Sequence, residues 1–391
     1  MAVLGALHPL RRIPMFTPPF CPNRTCSNHS DPPGHRWWYP NGTHSTRAFG
    51  TVSRFKCRLC LRTFSVQTFM VTYYAKRLLS LIRLERLSAS SMSTRALSRE
   101  FGCSCDTITN RIDRIARQGI MMHAALRKLV DPRGPVCFDA LVSFDKSQYF
   151  PNDIGISITH QGRFVLGLSH AATRRAGKMR EVQKKRRGQL YEGLKFERKA
   201  VERSFGEHLD LLKRERAVTA ENPLVLITDE KQEYRRALRK HELYRGQGAR
   251  TRCIHLEVSS KVPRTFANPL FPSNYIDREA RKDQANFRRE TTCFSRSGAN
   301  CMSRLSVYAV WHNYRKKYLI KDPVAKTGTH AEMAGIGGAL VRSMRRSMFV
   351  RRAFLSRMDL LPLDLKIWTK SVYSPWAGRD VGAHLPRFAL G

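Results

Sequence analysis

The stretch ENPLVLITDEKQEY, residues 221–234, decides the fold. Its aliphatic run 224–227 lies between Asn-Pro and a polar segment with helical spacing, which predicts a short buried strand at the centre of a sheet. The strand ends on Thr228 and Asp229. Open α/β sheets place their chemistry at the carboxyl ends of strands, so Asp229 is a candidate site residue. The alternative is that Thr228 or Asp229 only caps the following helix.

The segments around this strand predict an α/β domain over residues 135–325. Three strands joined by short links come first, and the first of them carries Asp139. The predicted elements are strands at 135–142, 153–159, 163–169, 224–228 and 251–258, and helices at 191–216, 230–241 and from Asn274 onward. This βββ-α-β-α-β-α order is typical of a ribonuclease-H-like domain, a mixed sheet flanked by helices. Asp139 and Asp229 are expected on adjacent central strands.

A third acid is expected from the last helix, where Asp277 follows Asn274. Glu279 is the rival third acid and Asp283 a weaker one. Asp277 also has two structural explanations, a capping box with Asn274 and an ion pair with Arg281. Three clustered carboxylates suit two Mg²⁺ or Mn²⁺ ions held about 3.5–4 Å apart for phosphoryl transfer.

The charge of the chain indicates a polyanionic partner. Its 391 residues include 70 Lys and Arg against 31 Asp and Glu, a formal net charge of +39. Such an excess along the whole length favours nucleic acid. An acidic membrane surface is the alternative partner. No apolar window approaches the roughly 18 residues of a membrane span, so no span is expected. The basic residues interleave with strand patterns and do not line one helix, so no membrane partner is expected. The run 171–188, with Lys184, Lys185, Arg186 and Arg187, is interpreted as a mobile loop over DNA; the alternative is a solvated loop.

Two cysteine pairs follow a lead-in at residues 1–20 and predict a zinc ribbon over 21–66. The four expected thiolate ligands of a structural Zn²⁺ are Cys21, Cys26, Cys57 and Cys60. Phe55 and Phe64 are expected to cover the metal. Histidine could replace a thiolate from the intervening loop, where the candidates are His29, His35 and His44. The other alternative is four unligated thiols. Metal-type spacing favours a reducing, cytoplasmic compartment over disulfides.

Residues 67–130 are expected to form a helical DNA-binding domain, and apolar residues at helical spacing over 66–89 predict its first helix. Ser93 or Thr94 opens one helix, Gly102 makes a turn, and Ser104 or Asp106 opens a second helix. This layout predicts a helix-turn-helix, whose second helix enters the major groove. The polar face expected to meet DNA consists of Thr107, Thr109, Asn110, Arg111 and Arg114. An ordinary pair of packed helices is the alternative. Residues 326–391 are expected to form a basic C-terminal extension.

Taken together, these motifs resemble prokaryotic insertion-sequence transposases of the DDE type, in the group with a zinc ribbon and helix-turn-helix ahead of the catalytic domain. The resemblance covers roughly residues 20–335. It rests on the ribbon, the helix-turn-helix, the Asp139 strand, Ile-Thr-Asp229, Asn274-x-x-Asp277-Arg and the stretches 289–297 and 308–314. It implies Asp139, Asp229 and Asp277 as ligands of catalytic Mg²⁺ or Mn²⁺. The third acid of such enzymes is usually Glu, and this chain has Asp277 there.

The function that the resemblance implies is cleavage at the ends of a mobile element and transfer of the freed 3′ ends into target DNA. A homo-oligomer is expected, since two ends must be brought together, and the expected location is the prokaryotic cytoplasm, at the nucleoid. A non-catalytic DNA-binding regulator or inactive transposase remnant would share the zinc and helix-turn-helix motifs. A nuclease on the same fold would cleave strands without joining them.

Overall fold

The computed structural model describes residues 16–219, 221–244, 252–288, 293–319 and 327–378. Most of the expected lead-in 1–20, part of the stretch 289–297 and the last 13 residues of the expected C-terminal extension, 379–391, lie outside these ranges. The chain forms two compact units. Within the described ranges, the cysteine unit comprises residues 16–78 and 351–357, and the sheet unit comprises residues 79–350 and 358–378.

The cysteine unit is built on a three-stranded antiparallel sheet in the order β1-β2-β3. Its elements are helix α1 (Ser27–Ser30) and strands β1 (Trp38–Thr46), β2 (Gly50–Cys57) and β3 (Thr63–Ser65). A 3-10 turn follows at Val66–Phe69. The core is aromatic and contains Trp37, Phe55, Phe64, Phe69 and Phe354. Phe55 and Phe64 therefore pack beside the cysteines, as expected.

The sheet unit begins with three helices, α2 (Leu81–Ala89), α3 (Thr94–Phe101) and α4 (Cys105–Leu126). The backbone N–H groups of Ala96 and Thr107 donate to the hydroxyls of Ser93 and Ser104, which cap α3 and α4 as such hydroxyls commonly do. Gly102 ends α3 in the left-handed conformation that glycine adopts without strain. Helix α4 packs along α9 and is buried over most of its length.

The sheet is mixed, and helices pack on it. Its strands are β4 (Val136–Phe144), β5 (Pro151–Thr159), β6 (Val165–Leu168), β8 (Leu224–Asp229) and β9 (Cys253–Val258), in the order β6-β5-β4-β8-β9, with β7 (Ala171–Ala172) also paired to β5. Strand β5 is antiparallel to β4 and β6, whereas β4, β8 and β9 are parallel to one another. The expected mixed α/β architecture is confirmed at this level.

The remaining helices complete the sheet unit. They are α5 (Glu181–Tyr191), α6 (Ala200–Glu215), α7 (Gln232–Lys240), α8 (Phe271–Asp283), α9 (Gly298–Tyr314), α10 (His330–Met333), α11 (Gly338–Ser347) and α12 (Pro362–Trp368). Phe138 on β4 packs against the rings of Phe205 on α6 and Tyr234 on α7, at 4.7 and 5.0 Å. The opposite face of β4 is turned toward α8.

Three expectations about local structure are wrong. The basic run 171–188 is not one loop, because its second half forms α5. The helix expected over 191–216 is interrupted, because Gly193, at φ 71°, follows the end of α5. The helical spacing at 66–89 yields only the 3-10 turn and α2. Tyr74, at φ 49°, is incompatible with a continuous right-handed helix there.

The expected C-terminal extension is, in its described part, integral to both units. Helix α12 packs against α4, α6 and α9, and its Asp364 pairs with the buried Arg127 at 2.6 Å. Residues 351–357 belong to the cysteine unit, where Phe354 lies in the aromatic core. Apolar residues lie among the arginines of this region, and of these Val341, Met348 and Phe354 are buried.

Candidate active site and metal centre

Asp139 and Asp229 are positioned by two neighbouring parallel strands. Cys137 on β4 and Ile227 on β8 are register partners, and each aspartate lies two positions further along its strand. Because side chains alternate between the faces of a sheet, both carboxylates project to one face, at the carboxyl end of β8. The sequence-based expectation of adjacent central strands is confirmed.

The charges of two further carboxylates act on Asp139. Burial and the negative charges of Asp229 and Asp277 raise the pKa of Asp139 to about 7. Burial also raises the pKa of Asp229, although the N–H group and charge of Lys231 oppose the shift. Acids on a strand, at a strand end and on a helix repel one another across this cluster, so a bound cation would be favoured.

Asp277 lies on α8 with one oxygen paired and one unpaired. Its Oδ2 accepts from Arg281 Nε at 3.1 Å, so the ion pair expected as an alternative explanation is present. The capping-box alternative is wrong, since α8 begins at Phe271 and Asn274 lies inside the helix. The Oδ1 atom is buried and has no hydrogen-bond partner within the described chain. A buried carboxylate oxygen without a partner fits a metal ligand.

Glu279, the rival third acid, faces elsewhere. Two residues further on a helix correspond to a rotation of about 200°. Its carboxylate is buried and accepts from Lys282 at 2.8 Å and from Lys316. These two lysines lower its pKa against the opposing effect of burial. Glu279 therefore has its charge balanced by lysines, whereas the charge of Asp277 acts on Asp139.

The donor set of the three carboxylates fits hard divalent cations, which prefer oxygen ligands. Among the described residues, only the four cysteines form a group of three or more candidate ligands whose atoms all lie within 4.8 Å of one another. The carboxylates are thus more widely spread than ligands of one ion. The described residues therefore do not place the three carboxylates as ligands of a single ion.

Two residues of this neighbourhood were not predicted from the sequence. Lys231, which follows β8, places Nζ 2.5 Å from Oδ2 of the buried Asp153 on β5. The positive charge of Lys231 lowers the pKa of both Asp139 and Asp229. Lys231 follows the strand that ends at Asp229, and this place in the sequence could have indicated that Lys231 lies near the two aspartates. Nothing local in the sequence connects it to Asp153, 78 positions away.

The cysteine unit brings together the four predicted thiols. Cys21 Sγ lies 3.5 Å from Cys60 Sγ, and Cys26 Sγ lies 3.9 Å from Cys57 Sγ. A tetrahedral Zn²⁺ with bonds of about 2.3 Å requires sulfurs about 3.8 Å apart. Three of the thiols are buried and Cys60 is half-buried. The cluster can therefore hold a metal such as zinc with a closed ligand shell.

Hydrogen bonds prepare one of the thiols for a metal. Burial opposes ionisation of Cys57, but the backbone N–H groups of Cys60 and Leu59 and the Asn28 side chain lower its pKa to about 7. Asn28 Nδ2 donates to Cys57 Sγ at 3.4 Å. Of the alternative ligands, His29 Nδ1 contacts the Cys21 carbonyl at 2.7 Å, and neither His35 nor His44 belongs to the ligand group.

The side chains of α4 that were predicted to contact DNA do not form an exposed face of the helix. Arg111 and Arg114 are buried, with 6% and 7% exposure, and contact the side chain of Asn110 at 2.6 and 3.0 Å. Thr107 is half-buried and bonds to Ser104 at 3.0 Å. The expectation of an exposed polar face at Arg111 and Arg114 is wrong, because α4 is a core helix of the sheet unit.

Helix α5 is the most exposed of the predicted DNA-binding segments. Not one of its residues is buried. Lys184, Lys185 and Arg186 are exposed, and Arg187 is half-buried and donates to the Arg175 carbonyl at 3.0 Å. Lys184 also pairs with Glu181 at 2.6 Å. Three consecutive basic residues, Lys184, Lys185 and Arg186, are therefore exposed on one helix.

Comparisons with known proteins do not assign the chain. No protein-family model matches the sequence, and no curated protein matches it either. Among the described residues, every helix is too short or too polar to cross a membrane.

Proposed function

We propose that the chain is a DNA transposase of the DDE type, which binds the ends of a mobile element and catalyses metal-dependent strand cleavage and transfer. The observation that carries the proposal is the placement of Asp139 and Asp229 on the adjacent parallel strands β4 and β8, with the charge of Asp277 on α8 acting on Asp139. Each comes from a separate segment of the chain, and together they form the kind of oxygen-ligand cluster that metal-dependent phosphoryl transfer requires.

The strand order supports a ribonuclease-H-like catalytic domain. Three consecutive antiparallel strands are followed by two strands parallel to the first, in the order β6-β5-β4-β8-β9. This order puts β4 at the centre, where Asp139 lies beside Asp229. The fold alone does not determine function, so the proposal depends on the acids and not on the sheet.

In this proposal Asp139, Asp229 and Asp277 hold Mg²⁺ or Mn²⁺. The bound ions would activate the attacking water or 3′-hydroxyl and stabilise the leaving oxygen. The role of the chain is to keep the carboxylates ionised and oriented. Arg281 fixes Oδ2 of Asp277 and leaves Oδ1 available. Asp139, with a pKa of about 7, gives up its proton when cations bind beside it.

The cysteine unit would act through stability. A Zn²⁺ ion held by Cys21, Cys26, Cys57 and Cys60 has no open position for chemistry. With a three-stranded sheet and an aromatic core, the unit fits the description of a zinc ribbon. Helices α3 and α4 fit a helix-turn-helix in connectivity, but the burial of α4 leaves little of it for the major groove.

DNA is the proposed partner because of the +39 charge and the exposed basic helix α5. Contacts to phosphates supply affinity without reading sequence, so binding should weaken steeply with salt. Two element ends must be joined in one reaction, so the proposed active form is a homo-oligomer on DNA. The proposed place of action is the nucleoid of a prokaryotic cell.

The test is cleavage and joining of DNA taken from beside the gene, in Mg²⁺ or Mn²⁺. Wild type is compared with Asp229→Asn and with the control Asp210→Asn, which changes an exposed aspartate on α6 paired with His241. Joined products from wild type and control, but not from Asp229→Asn, are expected. Cleavage without joining would indicate a nuclease. DNA binding without cleavage, by folded and zinc-loaded protein, would indicate a regulator or an inactive remnant.

A further inference from the structure

Lys231 is held beside the three carboxylates by an acid that lies on the other side of the sheet. Asp153 on β5 pairs in register with Val142 on β4, three positions beyond Asp139. Alternation along β4 puts Val142 and Asp139 on opposite faces, and directly paired residues share a face. Asp153 therefore projects to the opposite face from Asp139 and Asp229, although its charge raises the pKa of Asp229.

The ammonium group of Lys231 is placed between these two environments. Its Nζ lies 2.5 Å from Asp153 Oδ2 and 5.2 Å from the ring centre of Tyr234. The side chain of Asp153 is only 9% exposed and that of Lys231 30% exposed. A buried carboxylate with a single close cation holds that cation firmly, since separating the two would leave a buried charge unpaired.

The same ammonium group acts on the cluster at a distance. Its positive charge favours the ionised forms of both Asp139 and Asp229. A cation of this kind competes electrostatically with a divalent ion for the same carboxylates. If it were free to turn toward Asp139 and Asp229, it would pair with them directly, because Lys231 follows Asp229 by two residues and has a long flexible stem.

We propose that Lys231 is a tethered competing cation of the carboxylate cluster, and that Asp153 is the anchor that holds it off Asp139 and Asp229. The pair sets how tightly the cluster binds divalent ions. This inference rests on the proposed function, because it takes the three carboxylates to be a divalent-metal site. Lys231 and Asp153 are positioning residues in this arrangement, and neither is assigned a metal ligand role.

The test is Mn²⁺ binding by the zinc-loaded full chain at constant ionic strength, measured by calorimetry and by the electron paramagnetic resonance signal of free Mn²⁺. Lys231→Met should tighten binding about tenfold, the effect of removing one charge about 7 Å from a divalent ion at a water-like dielectric constant. Asp153→Asn should weaken binding, by a similar factor, because the released lysine turns to the cluster. In the Lys231→Met background, Asp153→Asn should have a much smaller effect.

Lys213→Met is the matched control, since Lys213 forms a pair of the same length, 2.5 Å, with Glu242 on the surface. It should leave Mn²⁺ affinity unchanged. Circular dichroism and melting temperature establish that each variant is folded. Unchanged or weaker binding by folded Lys231→Met would overturn the competing role. An equal effect of Asp153→Asn in both backgrounds would overturn the anchor, because Asp153 would then act through its own charge.

Failure of the proposed function gives a different pattern. If Asp139→Asn binds as much Mn²⁺ as wild type does, the carboxylates are not a metal site, and both proposals fall. If Asp139→Asn removes binding while Lys231→Met has no effect, only the present inference falls. A similarly tightened affinity in the Lys213→Met control would mean that total charge, and not the position of Lys231, governs binding, which also overturns the inference.

Discussion

Asp139 and Asp229 repel each other across two neighbouring parallel strands. They lie level on β4 and β8, and burial together with the charge of Asp229 raises the pKa of Asp139 to about 7. Like charges so placed destabilise the folded chain unless a cation or a proton neutralises them. Under the proposed function, the placement of these two acids that would suit metal binding therefore costs stability in the absence of metal.

The first prediction concerns this cost. In zinc-loaded protein without added Mg²⁺ or Mn²⁺, Asp139→Asn should raise the melting temperature at pH 8 and leave it nearly unchanged at pH 4. The folded state holds the Asp139 proton more tightly than the unfolded state, so stability falls as pH rises from about 4 to the folded pKa of about 7. At most about 4 kcal/mol is involved, at about 1.36 kcal/mol per pKa unit.

Mn²⁺ should reverse the order of the two proteins. The ion binds only the folded site and so should raise the melting temperature of wild type more than that of Asp139→Asn. Differential scanning calorimetry from pH 4 to pH 8, with and without Mn²⁺, measures both effects. A wild type that is more stable than Asp139→Asn at pH 8, without added Mg²⁺ or Mn²⁺, would contradict the repulsion.

The second prediction concerns the cysteine unit. Cys57→Ser should reduce bound zinc from one ion to none per chain and unfold residues 16–78, because structural zinc contributes directly to folding. Mass spectrometry of the metal and amide hydrogen exchange over this segment are the measurements. Cys105→Ser, at a half-buried cysteine outside the cluster, should keep both zinc and protection. Full zinc in Cys57→Ser would exclude this site.

The third prediction separates the two acids of α8. Asp277→Asn should lower strand cleavage by about 10³-fold or more while the protein stays folded. Glu279→Gln should instead destabilise the fold by about 2–4 kcal/mol, because it leaves the buried Lys316 without its closest carboxylate. Cleavage rates and urea unfolding of both variants decide between them. Loss of activity in folded Glu279→Gln, with Asp277→Asn active, would make Glu279 the third acid.

The main architecture could be predicted from hydrophobic runs and turn residues. Asp139 and Asp229 lie on bounded apolar strands, so their neighbouring positions follow from strand order. The four cysteines could be found from spacing, and Ser93, Gly102 and Ser104 mark helix ends by their local chemistry. These signals are local, and local signals survive tertiary packing.

The features that could not be predicted depend on contacts between residues that lie far apart in the sequence. Arg111 and Arg114 have a polar pattern typical of a surface, yet α4 packs along α9 and α12, and both arginines are buried. The anchoring of Lys231 by Asp153 joins two strands through tertiary structure. In the C-terminal region, the abundance of arginine masked the apolar residues, such as Phe354 and Trp368, that pack into the two cores.

The last prediction concerns helix α5. Lys185→Ala/Arg186→Ala should weaken DNA binding and lower the slope of log affinity against log salt by about 2, since each phosphate contact contributes about 0.9. Stability should be unchanged, because both side chains are exposed. The control Arg239→Ala/Lys240→Ala removes the same charge from the exposed end of α7. Fluorescence anisotropy at several salt concentrations measures the slopes. Equal losses in the two variants would show that net charge alone governs binding, and that α5 is a solvated helix with no particular place on DNA.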